Sequence, residues 1–303
     1  MSTQEKSLPP GQLGTKFGLI CLRLLVRLPY PLLISIGRAL GQLSYWFMHR
    51  RCEIASTNIK LCFPELSQRQ RSDLVRESFH SVGISLFETA MSWWASDEKL
   101  AALCHIEGLE NLRDAERQQR GILLLSGHFT STEISGRLLS SYTQLAFMYK
   151  PNRNRVLNTV ITNARENRYG SAISQDDLRG FIRALKNKLT CWYAPDQDLG
   201  ISRGVFAPFF GIPAATITAP SRFAKIANAL VVPYSVSRRR DNKGYDLKIL
   251  PALKNFPSND PVADATLVNK IIENQIRESP GQYLWQHRRF KTRPPGEESL
   301  YER

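Results

Sequence analysis

Short apolar runs alternate with amphipathic stretches over the second half of the chain. The apolar runs occupy residues 122–125, 144–149, 190–195, 230–236 and 245–250. Helical spacing of apolar residues marks the segments 156–168, 176–188, 219–229 and 261–281. Strands that alternate with helices of about ten or more residues are typical of a largely parallel sheet covered by helices. The pattern therefore predicts an α/β fold with a mixed, largely parallel central sheet flanked by helices.

Helices are also predicted upstream of the sheet. Residues 51–103 place apolar side chains at near-helical spacing with charges between them. Within the later segment 176–188, Asp176 or Asp177 is suited to cap a helix. The apolar stripe of that helix, which we expect to be buried, consists of Leu178, Phe181, Ile182 and Leu185.

The stretch from Lys16 to Arg51 is apolar and basic and contains no acidic residue. The arginines that interrupt it are Arg23, Arg27 and Arg38. Its apolar runs are shorter than the roughly 20 residues that cross a bilayer core, and a basic amphipathic helix suits the headgroup region of an anionic membrane. We therefore predict a membrane-associating helical segment over residues 1–50 and a catalytic domain over residues 51–303. Whether the segment spans the membrane stays open, and a pair of core helices is the alternative.

The charge of the chain narrows the class of partner. Its 303 residues include 41 Lys and Arg against 27 Asp and Glu, a formal net charge of +14, which indicates polyanionic partners. The basic residues are not interleaved with a base-stacking aromatic motif, so no nucleic-acid partner is expected. The five cysteines are scattered without CxxC spacing, and no HExxH motif occurs. Neither a disulfide framework nor a metal site is therefore expected.

The sequence GHFTSTE follows the predicted strand at 122–125 and places His128 five residues before Glu133. Loops at the carboxyl ends of strands line the ligand crevice in open α/β sheets. With His128 in such a loop and Glu133 in the first turn of the next helix, the carboxylate can hydrogen-bond to the imidazole and fix its tautomer. The alternative is structural, because Thr130 and Glu133 also fit a capping box at the helix start.

Other catalytic motifs are absent from the sequence. No GxSxG nucleophile elbow, GxGxxG turn or phosphate-binding P-loop occurs, and no serine or cysteine is activated by its sequence context. A histidine–carboxylate pair without a protein nucleophile suits direct attack by a substrate hydroxyl on an acyl donor.

Further blocks follow the H-x4-E pattern: YKPNRN at 149–154, WYAPDQDLG at 192–200, VFAPFFGIPAATITAPSRFAK at 205–225 and QYLWQHRRFKTRPPGE at 282–297. The H-x4-E pattern resembles the glycerolipid, or lysophospholipid acyltransferase-like, superfamily. Together the blocks resemble the late acyltransferases of lipid A biosynthesis in Gram-negative bacteria, and most closely the lauroyltransferase branch. The likeness extends over nearly the whole chain.

This resemblance implies an O-acyltransferase that uses acyl-carrier protein as its donor and needs no cofactor. It implies transfer of a fatty acyl chain, lauroyl in that branch, to the 3-hydroxyl of an acyl chain on the Kdo-bearing lipid A precursor. By the same likeness, the N-terminal segment anchors the enzyme at the cytoplasmic face of the anionic cell inner membrane. His128 matches the family's catalytic histidine, which deprotonates the hydroxyl, and Glu133 matches the acid that holds the imidazole.

The resemblance also assigns substrate contacts to charged residues of the later blocks. Lys150, Arg153 and Arg165 match basic positions that suit the acceptor's phosphates or Kdo carboxylates, although each also fits a solvated helix face. Asp196 and Asp198 fit the family's P-D-x-D loop, where a carboxylate orients a sugar or an arginine. Two basic clusters are expected to be surfaces for anionic lipid or the acidic carrier: Arg238, Arg239, Arg240, Arg288, Arg289 and Lys291.

Two alternatives to a lauroyltransferase stay open. The nearer one is a myristoyl-transferring lipid A acyltransferase or another glycolipid or glycerolipid acyltransferase, which the C-terminal block disfavours. The distant one is a non-enzymatic basic protein that binds membrane or nucleic acid. Two departures from the family leave the acyl-chain length undecided: Lys150 stands where many members carry arginine, and Ala207 interrupts the usual V-F-V-P run.

Overall fold

The computed structural model describes residues 10–168 and 170–301. Within them, five helices precede the sheet: α1 (Pro10–Leu25), α2 (Tyr30–Phe47), α3 (His49–Cys62), α4 (Gln68–Trp94) and α5 (Asp97–Ala101). Ser67 and Gln70 form a capping box at the start of α4. The helical character predicted for 51–103 is confirmed. Residues 1–9 of the predicted N-terminal segment and 302–303 of the predicted catalytic domain lie outside the described residues.

The N-terminal helix α2 lies directly on α4. Gly37 and Gly41 of α2 meet Gly83 of α4, and a Cβ at Gly83 would collide with the backbone of both α2 glycines. Glycine at these positions therefore permits the close approach of the two helix backbones. Leu33 and Ile84 are buried at this contact, so α2 is part of the packed body of the protein.

The described residues contain nine strands: β1 (Cys104–Glu107), β2 (Ile122–Leu125), β3 (Leu145–Tyr149), β4 (Gly170–Ser174), β5 (Thr190–Tyr193), β6 (Gly204–Phe209), β7 (Ile212–Ile217), β8 (Leu230–Arg238) and β9 (Tyr245–Ile249). Seven form a sheet in the order β1-β9-β8-β2-β5-β3-β4, while β6 and β7 form a separate antiparallel hairpin. Only the pair β8 and β9 is antiparallel among the neighbours described in this sheet. The central strand β2 is completely buried, as in sheets covered on both faces. The predicted mixed, largely parallel sheet is confirmed.

Helices connect the strands and cover the sheet: α6 (Leu109–Arg117), α7 (Thr132–Leu139), α8 (Arg155–Arg168), α9 (Leu178–Lys186), α10 (Ala219–Ala227) and α11 (Pro261–Glu278). Asp177, one of the two predicted caps, accepts a hydrogen bond of 2.8 Å from the backbone N–H of Gly180. Phe181 and Leu185 are buried as predicted, but Leu178 is 48 % exposed. The prediction for Leu178 is wrong because this residue begins the helix at the mouth of a cleft.

Four strands have no counterpart in the apolar pattern: β1, β4, β6 and β7. β4 has the sequence GSAIS, in which Ile173 is the only large apolar side chain, so its hydrophobic signal is weak. In the hairpin, Pro208 lies opposite Pro213. Proline donates no backbone hydrogen bond and is confined to edges of sheets, so it argues against a strand when only the sequence is known. Periodicity therefore finds the buried central strands and misses strands whose apolar signal is weak or whose sequence contains proline.

Apolar side chains are exposed along α1. Leu13, Phe17, Ile20 and Leu24 recur at helical spacing, and each is more than half exposed. Among residues 10–168 and 170–301, no helix combines the length and the apolar character that crossing a membrane requires. The stripe thus lies along the outer face of a surface helix.

Candidate active site

The loop that follows β2 carries the candidate catalytic histidine. β2 ends at Leu125 and α7 begins at Thr132, so His128 lies at the carboxyl end of the central strand. β5 runs parallel beside β2 with Leu125 opposite Tyr193, which places the loop after β5 next to the loop after β2. Ligand crevices form at this edge of open α/β sheets.

Asp196, in the loop after β5, is the residue that holds His128. Its Oδ1 lies 2.5 Å from Nδ1 of the imidazole, and its Oδ2 accepts a hydrogen bond of 2.8 Å from the backbone N–H of His128. The Asp196 side chain is 1 % exposed, whereas that of His128 is 31 % exposed. When the imidazole is neutral, a proton on Nδ1 directed at Asp196 leaves Nε2 as the basic nitrogen.

Burial and pairing act in opposite directions on the pKa values of this pair. Burial by itself raises the pKa of Asp196, but the charge and hydrogen bonds of His128 overcome it and hold that pKa well below its usual value. For His128, burial lowers the pKa, and the neighbouring Asp196 carboxylate more than compensates, so the net pKa lies above the ordinary one. Asp196 therefore stabilises the imidazolium that a general base becomes when it takes a proton.

The carboxylate of Glu133 binds Arg165 instead of His128. Arg165 Nε lies 2.9 Å from Oε1 of Glu133 and its Nη2 lies 2.5 Å from Oε2. The indole nitrogen of Trp93 donates a further hydrogen bond of 3.4 Å to Oε1. Glu133 lies in the first turn of α7 and reaches toward α8, whereas the histidine loop turns toward β5. The predicted Glu133–His128 contact is therefore corrected, and Asp196 occupies that position.

The start of α7 also differs from the capping box that the sequence allows. The N-cap is Ser131 rather than Thr130, and the first backbone hydrogen bond of the helix runs from the N–H of Ser135 to the carbonyl of Ser131. The Glu133 carboxylate is directed at the guanidinium of α8 rather than at the helix start. A purely structural role for Glu133 would therefore be the ion pair that joins α7 to α8, not a cap of α7.

A carboxylate and an aromatic ring on neighbouring elements hold Arg165 inside the protein. Its side chain is 19 % exposed, it pairs with Glu133, and its guanidinium carbon lies 4.9 Å from the ring centroid of Phe147. A guanidinium engaged by a carboxylate and an aromatic face joins α8 to α7 and β3. This corrects the expectation that Arg165 grips an anionic group of the substrate.

The other predicted substrate residues have different surroundings. Lys150 lines the same cleft as His128, and Arg153 is exposed in the loop that precedes α8. Asp198 is buried and accepts hydrogen bonds of 2.6 Å and 2.8 Å from the backbone N–H and hydroxyl of Thr292. Asp196 and Asp198 therefore bind His128 and Thr292, where the resemblance implied a sugar or an arginine as the partner of this loop.

A C-terminal strap, residues 282–292, closes over the catalytic loop from the far end of the chain. The carbonyl of His128 accepts a hydrogen bond of 3.0 Å from the N–H of Leu284, and the carbonyl of Gln282 accepts one of 2.9 Å from the N–H of Thr130. The Tyr283 hydroxyl interacts with the Asp196 carboxylate and helps to lower its pKa. The block that carries the family resemblance at the C-terminus thus fixes the candidate catalytic loop.

His128 opens onto a cleft of about 480 Å³. Much of its wall is apolar and includes Met148, Ile182, Trp192, Phe223 and Ile226. The rings of His128 and Trp192 meet edge to face with centroids 6.0 Å apart. Met148 and Trp192 also border a second, inner cavity of about 70 Å³, which the Glu133–Arg165 pair lines. No group of three or more His, Cys, Asp and Glu side chains in the described residues is arranged to hold a metal ion.

Two arginines of the predicted basic surfaces lie inside the protein. Arg238 is buried and binds Glu88 through two hydrogen bonds, of 2.7 Å and 3.0 Å. Arg289 is buried and donates to the carbonyl of Ala215 at 2.7 Å and to the hydroxyl of Thr216 at 2.9 Å. Their assignment to docking surfaces is wrong, because each charge is neutralised or satisfied by protein partners that are distant in sequence.

The chain matches the protein family described as bacterial lipid A biosynthesis acyltransferase over residues 1–292. It is 40 % identical over 288 residues to the lipid A biosynthesis lauroyltransferase of Escherichia coli strain K12, covering 95 % of this chain and 94 % of that protein. With the same coverage, it is 39 % identical to the lipid A biosynthesis palmitoleoyltransferase of that organism. It is 36 % identical over 284 residues to a lipid A biosynthesis acyltransferase of Haemophilus influenzae, covering 91 % and 90 %.

Proposed function

Because the chain belongs to the bacterial lipid A biosynthesis acyltransferase family, we propose that it transfers a lauroyl chain from acyl-carrier protein to the lipid A precursor that bears Kdo sugars. The acceptor group is the 3-hydroxyl of one of the precursor's own acyl chains. The observation that carries this proposal is the His128–Asp196 pair, whose imidazole lines a largely apolar cleft.

The reaction follows from the position of the imidazole. Nε2 of His128 takes the proton of the acceptor hydroxyl while that oxygen attacks the thioester carbon, so a carbon–oxygen bond forms and the carbonyl oxygen becomes negative. When the carbonyl re-forms, the carbon–sulfur bond breaks, and the imidazolium returns its proton to the departing thiolate. General-base assistance of this kind contributes about 10² to 10⁴ in rate. Asp196 stabilises the imidazolium and keeps Nε2 directed at the substrate.

The acyl chain is placed along the apolar wall of the cleft. The cleft has a volume of about 480 Å³, which lies within the range of pockets that enclose small ligands. Trp192 and Met148 separate this cleft from the inner cavity, and we infer that they limit how deep an acyl chain reaches. The relatives at 40 % and 39 % identity are named for different acyl chains, so local residues such as these, rather than overall similarity, decide the chain length.

The exposed stripe of α1 supports attachment to the cytoplasmic face of the inner membrane. Phe17 and Leu24 belong to that stripe, and Arg23 and Arg27 flank its end. Apolar side chains beside cations suit the boundary of an anionic bilayer. The hydroxyl of Thr15 accepts a hydrogen bond of 2.8 Å from Asn154, which lies in the loop after β3. The stripe is thus tied to the edge of the sheet at which a lipid acceptor would reach His128.

Vesicle flotation tests this attachment. We expect Phe17→Asp together with Leu24→Asp to reduce the fraction of protein that floats with anionic vesicles several-fold, because burying two carboxylates in the bilayer boundary is unfavourable. Leu250→Asp is the matched control, since Leu250 is an exposed leucine on a different part of the fold. Equal flotation of the double variant and the wild type would rule out α1 as the anchor.

The transfer itself is tested with purified protein in detergent, lauroyl carrier protein and the Kdo-bearing precursor, with products weighed by mass spectrometry. We expect one added lauroyl mass with the wild type and a loss of at least about 10²-fold in rate with His128→Ala. Circular dichroism and thermal unfolding verify that the variant is folded. A panel of lauroyl, myristoyl and palmitoleoyl carriers separates this function from a myristoyl-transferring enzyme, and no mass gain with any donor would leave the protein a non-enzymatic membrane binder.

A further inference from the structure

Three cations from separate elements meet at the cleft that holds His128. Lys150 directly follows β3, Arg203 ends the short 3₁₀ turn Ile201–Arg203 before β6, and Arg222 lies in the first turns of α10. All three are exposed and line the same cleft as the imidazole. Their convergence comes from the tertiary fold, because they are far apart in sequence.

These cations differ from many others on the surface. Arg113 pairs with Glu116 at 2.7 Å, and Arg239 pairs with Asp241 at 2.9 Å. Within the ranges 10–168 and 170–301, the structure records no ion pair for Lys150, Arg203 or Arg222. Unpaired cations at the rim of a low-dielectric cleft concentrate positive potential there.

Acidic lining residues do not cancel this potential. Asp176 is the one carboxylate that lines the cleft in the described part of the chain, and it lies exposed on the loop before α9. Three positive charges against one negative charge leave an excess of two at the cleft. Since the apolar wall lies on the same cleft, a ligand that fits it combines a hydrocarbon part with an anionic part.

We propose that Lys150, Arg203 and Arg222 form a phosphate-binding subsite that positions a substrate while its reacting group lies at His128. The two guanidinium groups match phosphate oxygens in bidentate geometry, and the ammonium group adds a point charge. This inference rests on the proposed acyl transfer and assigns the anion site to cations other than Arg165, whose guanidinium is bound to Glu133.

Two parts of the substrates carry the same chemistry. One is the phosphodiester that joins a carrier protein to its pantetheine arm, and the other is a phosphate on the sugar of the acceptor. The phosphodiester is a monoanion and the sugar phosphate is a monoanion or dianion, and each belongs to a substrate that also carries an acyl chain. Loss of the subsite is therefore expected to raise the KM for the substrate whose phosphate it binds and to leave the KM for the other substrate unchanged.

Steady-state kinetics with each substrate varied in turn distinguish the two sources. We expect Arg203→Gln and Arg222→Gln each to raise the KM for one substrate by about tenfold, with kcat within about twofold of the wild type. The matched control is Lys254→Gln, which removes an exposed cation from the loop between β9 and α11 and should leave both KM values unchanged. The difference between wild type and subsite variants should shrink at about 0.5 M salt, because exposed charges are screened.

A phosphate-free donor and a dephosphorylated acceptor complete the test. If the carrier's phosphodiester is bound, the variants lose their disadvantage with acyl-pantetheine as donor. If the acceptor's phosphate is bound, they lose it with a dephosphorylated acceptor. Unchanged KM values for both substrates, or an equal effect from Lys254→Gln, would overturn the subsite while the wild-type turnover still supports the proposed function.

A binding measurement needs no turnover at all. We expect inorganic pyrophosphate to raise the melting temperature of the wild type and of Lys254→Gln, but not that of the Arg203→Gln/Arg222→Gln double variant. Equal stabilisation of the double variant would contradict the subsite even if no acyl transfer were detected.

Discussion

Two carboxylates belong to ion pairs beside the two cavities that Trp192 borders, and their partners give them different uses. Asp196 holds an imidazole, which gains and loses a proton near neutral pH, whereas Glu133 holds a guanidinium, which stays protonated. The first pair opens onto the large cleft and the second closes the inner cavity. A carboxylate's role at this site is therefore decided by its partner rather than by its distance from His128 in sequence.

The largest expected difference follows the replacement of Asp196. We predict that Asp196→Asn lowers kcat/KM by about 10²- to 10⁴-fold, because an amide neither stabilises the imidazolium nor enforces the tautomer. The carboxylate raises the pKa of His128, so its loss should lower that pKa and move the acidic limb of the pH profile to lower pH. Residual activity measured across the pH range gives both quantities.

Folding must be separated from chemistry in that variant. The pKa of Asp196 is depressed in the folded protein, so this carboxylate contributes stability above its unfolded pKa, and the contribution disappears as pH falls through the folded pKa. Asp196→Asn should therefore also be less stable at neutral pH, with the gap to the wild type closing in acid. An active, equally stable Asp196→Asn protein would contradict the role of Asp196 as the support of the His128 imidazole.

A smaller loss is expected when the second pair is broken. Glu133→Gln leaves the guanidinium of Arg165 partly buried without its carboxylate, which should cost about 1 to 3 kcal/mol in the free energy of unfolding. Activity should fall by about tenfold because the wall of the cleft loosens, while the acidic limb of the pH profile stays in place. Chemical denaturation and the pH profile of the same preparation measure the two effects.

The double variant Glu133→Gln/Arg165→Met tests whether the Glu133–Arg165 ion pair is structural. If the pair is structural, removing both charges should recover part of the lost stability, since no unpaired charge remains. A shift of the acidic limb in Glu133→Gln similar to that in Asp196→Asn would instead show that Glu133 acts on the imidazole.

The smallest effect is expected at Tyr283. The Tyr283 hydroxyl helps to lower the pKa of Asp196, so Tyr283→Phe should raise that pKa and reduce stability at neutral pH by about 1 kcal/mol. Denaturation at several pH values would show the difference from the wild type shrinking as Asp196 becomes protonated in both. A constant difference at all pH values would assign Tyr283 to packing alone.

Much of the fold was predictable because it rests on local pattern. β2, β3, β5, β8 and β9 coincide with apolar runs, and α8 to α11 coincide with helical spacing. The family was identified from ordered sequence blocks and is confirmed by the match over residues 1–292. His128 was placed correctly at the carboxyl end of a buried strand.

The partner of His128 was not predictable from spacing. Asp196 lies 68 positions away, and only the parallel pairing of β2 with β5 brings the two loops together. A signal was nevertheless present: the PDQD sequence lies at the end of an apolar run, GHF follows another within two residues, and parallel strands end at the same edge of the sheet. Which strands are neighbours is decided by tertiary packing, so spacing alone selected Glu133 as the partner of His128 and left Asp196 among the substrate contacts.

Runs of basic residues led to wrong predictions of surface clusters for the same reason. Arg238 lies next to two other arginines in sequence, which indicates a surface cluster, yet its partner Glu88 is 150 positions away on α4. Arg289 likewise finds buried acceptors on the β6–β7 hairpin, an element that the apolar pattern does not reveal. Burial of a charge depends on partners from other elements, and a local pattern contains no information about them.

The titration of the His128 ring is the most direct test that Asp196, rather than Glu133, is the partner of the imidazole. Nuclear magnetic resonance of protein with labelled histidine, assigned by comparison with His128→Ala, reports the ring pKa in the wild type and in each acid variant. We predict that the pKa of His128 lies above the ordinary histidine value in the wild type and in Glu133→Gln, and that it is lower in Asp196→Asn. A lowered pKa in Glu133→Gln with no change in Asp196→Asn would contradict it.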